Sequence, residues 1–257
     1  MIFYFSGTGN TLSVAKRIAE ATDERLIAIA DAIKEKKYSY QIQDGERIGF
    51  CFPIHGWRPP FIVRDFIKQL HIAGANGHYV YAFATCGDDV GLTFNYLRQD
   101  LQIAGLPLDS CFSVIMPESY MFPLIDVIDK PEKAKEKRTE GLKKADKYIP
   151  YIINKETGLQ LINESHWPRT NSIVIGGYFV KHWVTDSKFS VDADLCARCG
   201  KCAKVCPVQN IAAPAGELPE WQHNGLCTTC FACYHHCPKH AINFGHRTKG
   251  KRQMYFE

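Results

Sequence analysis

No run of about 18 apolar residues occurs in the 257-residue chain, so a membrane-crossing helix is not expected. The N-terminus shows neither the basic region nor the small-residue cleavage site of a secretory signal; it opens directly on an apolar, strand-like run. A cytoplasmic protein without membrane insertion is therefore expected. A strong excess of one charge is missing as well: 31 Lys and Arg stand against 27 Asp and Glu, a formal +4. Hydrophobic content of 46% and charged content of 23% are those of an ordinary globular protein, long enough for one large or two modest domains.

Cysteine is not scarce. Of 11 cysteines, eight fall in two tight groups, and without an export signal metal ligation is a better reading than disulfides. "CARCGKCAKVCP" (196–207) and "CTTCFACYHHCP" (227–238) share the spacing C-x2-C-x2-C-x3-C-P, thirty-one residues apart. The register extends past the cysteines, with Leu195 matching Leu226 and Ile211 matching Ile242, so the segment reads as an internal duplication. Three cysteines two residues apart let one turn of backbone wrap a corner of an iron–sulfur cube, with amides left to donate to the sulfurs. Pro207 and Pro238 then redirect the chain. Zinc sites want pairs of pairs, and a radical-SAM triplet has a different spacing. Two 4Fe–4S clusters are expected. Each, with four thiolates, carries about −2, so two cancel the formal excess and a bound phosphate would carry the sum below zero. A nucleic-acid partner is accordingly not expected, and "HRTKGKRQ" (246–253) reads as a solvated tail. Cys51, Cys86 and Cys111 read as buried small hydrophobes in or beside strands, Cys86 being the one to watch. His235 and His236, between ligands, are expected to face solvent.

Up to residue 155 the chain alternates apolar strands (1–5, 24–30, 46–52, 78–85, 109–116) with amphipathic helices (10–22, 60–71, 90–104, 131–154). That pattern predicts an α/β domain whose parallel sheet is covered on both faces. The Lys- and Glu-rich stretch 131–147 reads as a solvated helix face. From 156 to 187 the pattern loosens into a connector with one short helix near 170–184; from 188 the composition turns to Cys, Pro and Gly. The expected division is 1–155, the connector 156–187, a small cysteine-rich domain 188–245 and a basic tail 246–257.

The opening "IFYFSGTGNTLSVA" runs strand, tight loop, helix. Ser6, Thr8, Asn10 and Thr11 offer hydroxyls and an amide, while Gly7 and Gly9 let backbone N–H groups close on an anion at the helix N-terminus. No lysine follows at a Walker position, and Leu12 replaces the third glycine of a dinucleotide fingerprint. A monophosphate held by neutral donors fits such a loop.

Ile2, Phe3, Tyr4, Ser6, Gly9, Thr11 and Ala15 fall in the flavodoxin phosphate-loop pattern, and about the first 150 residues resemble that family. The resemblance implies a flavodoxin-like, doubly wound parallel five-stranded sheet of order 2-1-3-4-5, with FMN at the switch point. It implies ring contacts from "PIHGWRPP" (Pro53, Ile54, His55, Gly56 and Trp57, the last as stacking partner), from "TCGDD" (Thr85, Cys86, Gly87, Asp88) and, through Tyr120, from "PESYMFP". His55 departs from the family, where an aromatic such as Tyr would be expected. Residues 188–245 resemble the bacterial two-cluster ferredoxin, a small α+β domain in which the fourth cysteine of each motif reaches the other cube. That resemblance groups Cys196, Cys199 and Cys202 with Cys237, and Cys227, Cys230 and Cys233 with Cys206. The whole chain resembles the EFR1-family ferredoxins. This implies an electron-transfer protein passing single electrons between two 4Fe–4S clusters and FMN, with redox proteins as partners. Two alternatives stay open: an FMN enzyme reducing a quinone- or nitro-like molecule with His55, Cys86 or Tyr120 as proton donor, and a ferredoxin with an FMN-free docking domain.

Overall fold

Apolar strands too short to stand alone are buried here by pairing in parallel. The computed structural model describes residues 1–121, 128–248 and 250–256; the end of "PESYMFP" and Lys249 and Glu257 of the basic tail lie outside the described residues. The strands of the first part are β1 (Ile2–Tyr4), β2 (Leu26–Ala28), β3 (Ser39–Gln41), β4 (Ile48–Pro53), β5 (His71–Ala73), β6 (Val80–Cys86), β7 (Ser110–Ile115) and β8 (Gln160–Leu161). The main sheet runs β2-β1-β4-β6-β7-β8, parallel throughout. Its first five members reproduce the flavodoxin-like order expected from the sequence. β8, drawn from the connector, adds a sixth strand at the edge, and β3 pairs with β5 outside the main sheet.

Helices cover both faces because their apolar residues repeat at helical spacing. On one face α1 (Asn10–Thr22) and α5 (Pro131–Ile153) bring Val14, Ala15, Ile18, Leu142, Ala145 and Ile149 onto Cys51, Tyr81, Phe83 and Phe112. On the other, α3 (Phe61–Gln69) and α4 (Thr93–Ile103) bring Ile62, Val63, Phe66, Phe94, Leu97 and Leu101 onto Phe3, Phe50 and Phe52; α2 (Ile29–Lys34) precedes them in the chain. Cys51, Cys86 and Cys111 are buried, and burial pushes all three thiols up.

The cysteine-rich part shows its duplication in the backbone. It comprises β9 (Phe189–Val191), α7 (Lys201–Lys204), β10 (Ile211–Ala212), β11 (Glu220–Trp221), α8 (Ala232–His235) and β12 (Ile242–Phe244). β9 pairs with β12 and β10 with β11, both antiparallel. Left-handed residues recur at the duplication offset: Arg198 (φ 53°) with Thr229 (52°), Gly200 (68°) with Phe231 (58°), Gln209 (50°) with His240 (52°). At the second of these pairs a phenylalanine takes a glycine's conformation, a cost of about 1–2 kcal/mol. Phe231 is buried against Tyr120, Phe189 and Phe244, and burying a side chain of that size returns about 1.5–3 kcal/mol.

The connector carries the short helix expected near 170–184, and the tail departs from the solvated segment expected. The connector runs from β8 through a π-helical turn, Thr170–Ile175, into α6 (Gly176–His182), which packs Phe179 on Gly56 and Tyr120. The tail is held along its length. Tyr234 Oη donates to the Lys251 carbonyl (2.7 Å), and Gln253 Nε2 to those of Tyr234 and Cys237 (2.6 and 2.8 Å). Phe256 N–H donates to Thr8 O (2.8 Å), under the Arg138 guanidinium.

His235 overturns the expectation that it faces solvent. It is fully buried, accepts from Met254 N–H at Nδ1 (3.1 Å) and faces Ser119 O through Nε2 (2.7 Å). One acceptor and one donor nitrogen define a neutral ring, and burial lowers its pKa to about 4. His236 is half-buried, its ring 4.1 Å from that of Tyr255. Tail and phosphate loop lie on this side of α8, so a histidine there becomes a bridge. Because the unfolded imidazole takes a proton near its ordinary pKa of about 6.5, this burial stabilises the fold above that pH and loses its effect as pH falls toward about 4. His235→Gln, which can serve the same two partners, should flatten the acid side of a thermal-midpoint-against-pH curve; an unchanged slope would show that other groups set it.

Candidate cofactor cleft and metal centres

A parallel sheet presents the loops at the C-terminal ends of its strands to one side, and here four of them share a cleft of about 340 Å³. The loop after β1 brings Ser6, Thr8, Asn10 and Thr11; that after β4 Pro53, Ile54, His55, Gly56 and Trp57; that after β6 Thr85, Cys86, Gly87 and Asp88; that after β7 Tyr120. Of the expected flavin residues only Gly9 is outside the lining. Its φ of 92° turns the chain into α1, and a side chain there would run into the Phe256 carbonyl. Gly7, Glu118 and Ser119 join the lining, with Ile175 and Phe179 from the connector and Cys230 from the second cysteine motif.

Neutral groups knit the phosphate end. Thr11 Oγ1 bonds Thr85 Oγ1 (2.7 Å, buried), Thr8 Oγ1 bonds Ser119 Oγ (3.1 Å), and Asn10 Nδ2 donates to Pro117 O (3.0 Å). Asn10 Oδ1 is buried without a partner. α1 has no side-chain cap and no acidic residue in its first turn, so its leading amides and dipole are open to an anion. Uncapped amides beside hydroxyls suit a phosphate monoester, and the apolar wall of Ile54, Trp57, Met116 and Phe179 suits a flat ring. Gly56 (φ 59°) and Trp57 (57°) are both left-handed; for a tryptophan that is a strained conformation of the kind concentrated at functional loops.

Burial shifts His55, Cys86 and Tyr120 in the cleft toward their neutral forms. Burial lowers His55 to about 4; burial, then Asp89 and Asp88, push the Cys86 thiol up to about 12; burial raises Tyr120. Glu118, which sequence reasoning passed over, is a buried carboxyl accepting from Tyr120 N–H (2.9 Å), its pKa raised by burial. Nothing in "PESYMFP" marks it; only the folded loop brings it inward.

The eight motif cysteines ring two small cavities. Cys196, Cys199 and Cys202 meet Cys237 at one, and Cys227, Cys230 and Cys233 meet Cys206 at the other. Backbone N–H groups donate to sulfur at equivalent places, Asn210 to Cys206 and Ala241 to Cys237 (both 3.3 Å), with Arg198 to Cys196 at 3.4 Å. Burial pushes the Cys202 and Cys230 thiols up to about 11 and that of Cys227 to about 12. Spaced thiols around a volume, several of them met by amides, fit an iron–sulfur cube.

The two sites share a wall. Cys230 lines both its own cavity and the cleft, and Gly7 lies against it: a Cβ on Gly7 would be 2.8 Å from Cys230 Cβ and 3.3 Å from its sulfur. Tyr120 continues the contact, its ring 5.3 Å from those of Phe231 and Phe179.

Comparison with known proteins finds one domain match in each part of the chain. Residues 1–103 match the model of a flavodoxin domain and residues 188–249 that of a 4Fe-4S dicluster domain. Similar solved structures include the Trp repressor binding protein from Bacillus subtilis (13% identity, TM-score 0.35, covering 55% of this chain and 94% of that one). Others are an azoreductase from Bacillus anthracis (12%, 0.36, 58% and 96%) and the rubredoxin oxygen:oxidoreductase of Desulfovibrio gigas (16%, 0.30, 58% and 36%). No curated protein matched. Among the described residues no helix is long and apolar enough to cross a membrane. A flavodoxin domain and a 4Fe-4S dicluster domain in one chain make an iron–sulfur flavoprotein of the electron-transfer kind.

Gly7→Ala tests the shared wall without reference to any cofactor. Two backbones would have to part, a cost of about 1–3 kcal/mol by the usual scale of overpacking. The expected result is a lower thermal midpoint and faster proteolysis within 156–187; a midpoint equal to wild type would mean the loops do not press on each other.

Proposed function

We propose that the chain passes single electrons between two 4Fe–4S clusters and FMN, serves redox-protein partners and is one of the EFR1-family ferredoxins. The observation that carries this reading is Cys230, a thiol of one cysteine cage that is also a wall of the flavin cleft. When bound, the clusters would supply one-electron chemistry and FMN one- or two-electron chemistry. Thr8, Asn10, Thr11 and the α1 amides would hold the phosphate, with Ser6 and Gly9 shaping the loop. Pro53 to Trp57, Thr85 to Asp88 and Tyr120 would flank the ring, and Ile175 and Phe179 would keep water from it. The cysteines would act in the crossed sets that share cavities. The working division is 1–155, connector 156–187, ferredoxin domain 188–245 and tail 246–257.

Electron carriage is favoured over substrate reduction by the state of the nominated proton donors. A donor for turnover near neutrality needs a pKa near the working pH. His55 is already without its second proton, and Cys86 at about 12 releases its own reluctantly.

Two measurements test the reading. Thr8→Val and Thr11→Val each remove a hydroxyl facing the phosphate, which should weaken FMN binding by about 1.5–3 kcal/mol in equilibrium dialysis. Thr11→Val should also lower the thermal midpoint, because the buried Thr85 hydroxyl loses its 2.7 Å partner. Unaltered flavin retention in both variants would show that the phosphate lies elsewhere. For the cages, Cys199→Ala, Cys230→Ala and Cys237→Ala would be reconstituted anaerobically and compared by low-temperature EPR. Cys237→Ala should perturb the same signal as Cys199→Ala; grouping with Cys230→Ala would refute the crossed sets.

A further inference from the structure

The two cages are equal in ligands and unequal in surroundings. The cavity of Cys206, Cys227, Cys230 and Cys233 has no charged residue in its lining and is walled by Phe189, Trp221 and Phe231. That of Cys196, Cys199, Cys202 and Cys237 has three cations, Arg198, Lys201 and Lys239, against one carboxylate, Glu217. Its mouth is open: Cys199, Arg198, Pro238 and Lys239 are exposed, and Leu195 is 51% exposed. Lys204 stands on α7 beside it, exposed.

Comparison of the repeats says where this asymmetry arises. At the duplication offset Arg198 is answered by Thr229, Lys201 by Ala232 and Lys204 by His235. Thr229, Ala232 and His235 are all buried. The second repeat has exchanged cations for neutral residues on the side that meets the flavodoxin domain. The first carries them on a side that nothing among the described residues covers.

We infer that the surface around Cys199 docks a small acidic one-electron redox protein. The inference rests on the cluster reading above. Electron transfer requires a partner to approach a ligand closely, and Cys199 is the motif cysteine classed as exposed. Lys- and Arg-lined rims select partners by charge and speed encounter through long-range attraction. α5, the other lysine-rich element, carries seven cations against four carboxylates, and part of that charge is paired. Lys143 pairs with Glu140 (2.8 Å), Lys133 and Lys137 with Asp129 (3.0 and 2.8 Å), and Asp146 with Arg17 (2.7 Å). Arg198, Lys201, Lys204 and Lys239 join none of the ion pairs found among the described residues. In the docked complex one electron leaves the reduced partner and enters at the Cys199 side, or returns by the same route. No bond forms or breaks and no proton moves.

The test uses anaerobically prepared holoprotein whose iron and acid-labile sulfide have been measured. The probes are a plant-type ferredoxin, acidic, and cytochrome c, basic, with affinity read by calorimetry. The ferredoxin should bind and the cytochrome should not, and ferredoxin affinity should fall at least about tenfold between low and physiological salt. Lys204→Glu combined with Lys239→Glu should weaken it by about tenfold more at low salt, with iron content and visible spectrum unchanged. Carbodiimide cross-links should map to Lys201, Lys204 or Lys239. Cross-links on α5, salt-independent binding or a preference for cytochrome c would overturn the docking site while leaving the clusters intact. A chain that takes up no iron on reconstitution would overturn the cluster reading, and this inference with it.

Discussion

The contact of Gly7 with Cys230 is the constraint on which the rest of the molecule is arranged. A phosphate loop and a cysteine loop come from parts of the chain more than two hundred residues apart, and neither tolerates a side chain between them. Holding them together takes more than the contact itself. Tyr120 wedges its ring between Phe179 and Phe231, His235 bridges Ser119 to the tail, and Phe256 N–H closes on the phosphate loop through Thr8 O. Each of these lies at the junction. Phe231 accepts a left-handed backbone to take its place there, although Gly200 at the equivalent position would have cost nothing.

A duplicated unit keeps its ligand geometry because the cube demands it, and changes its outer residues because the two copies meet different neighbours. The backbone N–H bonds to Cys206 and Cys237 are equal in length and equivalent in register. Outside that shell the correspondence fails residue by residue, from Lys201 against Ala232 to Lys204 against His235. One copy carries solvent-facing charge; the other has become an internal surface.

What could be read from the sequence follows how local the cause was. The parallel α/β architecture and the separate cysteine-rich part were legible because strand–helix alternation and cysteine spacing each act within a few residues, whereas the sheet order came with the flavodoxin resemblance. The crossed sets needed the family resemblance, and the shared cavities agree with it. The misreadings all concern long-range contact. "HRTKGKRQ" reads as solvated by composition, yet Tyr234 bonds its Lys251 carbonyl, Gln253 ties its end to α8, and Thr8 O holds Phe256 beyond it. His235 reads as a surface residue because the surface that buries it begins at Ser119. Glu118 drew no notice for the same reason. The repeat comparison was available from the start: neutral residues opposite Lys201 and Lys204 already marked the second motif as the covered one.

Placing a phosphate loop beside a thiolate cage raises an electrostatic difficulty that the fold answers with few full charges. Two centres of about −2 would face each other across Gly7, in a cleft that already holds Asp88, Asp89 and Glu118. Among the described residues no lysine or arginine lines that cleft or the inner cage. Compensation comes from dipoles, the open amides of α1 and the N–H groups directed at sulfur, which stay fixed whatever the oxidation state. Two arginines stand just outside. Arg138 donates to Ser13 Oγ (3.0 Å) behind the phosphate loop, and Arg247, stacked on Phe244 and Trp183, lowers the pKa of Tyr120 against the pull of burial. Each keeps one buried N–H without a partner, Nε of Arg138 and Nη1 of Arg247. Glu118, raised by burial, adds less negative charge than its side chain suggests. The inner cage, with no charged residue in its lining, faces the cleft, while the outer cage, ringed by Arg198, Lys201 and Lys239, faces solvent.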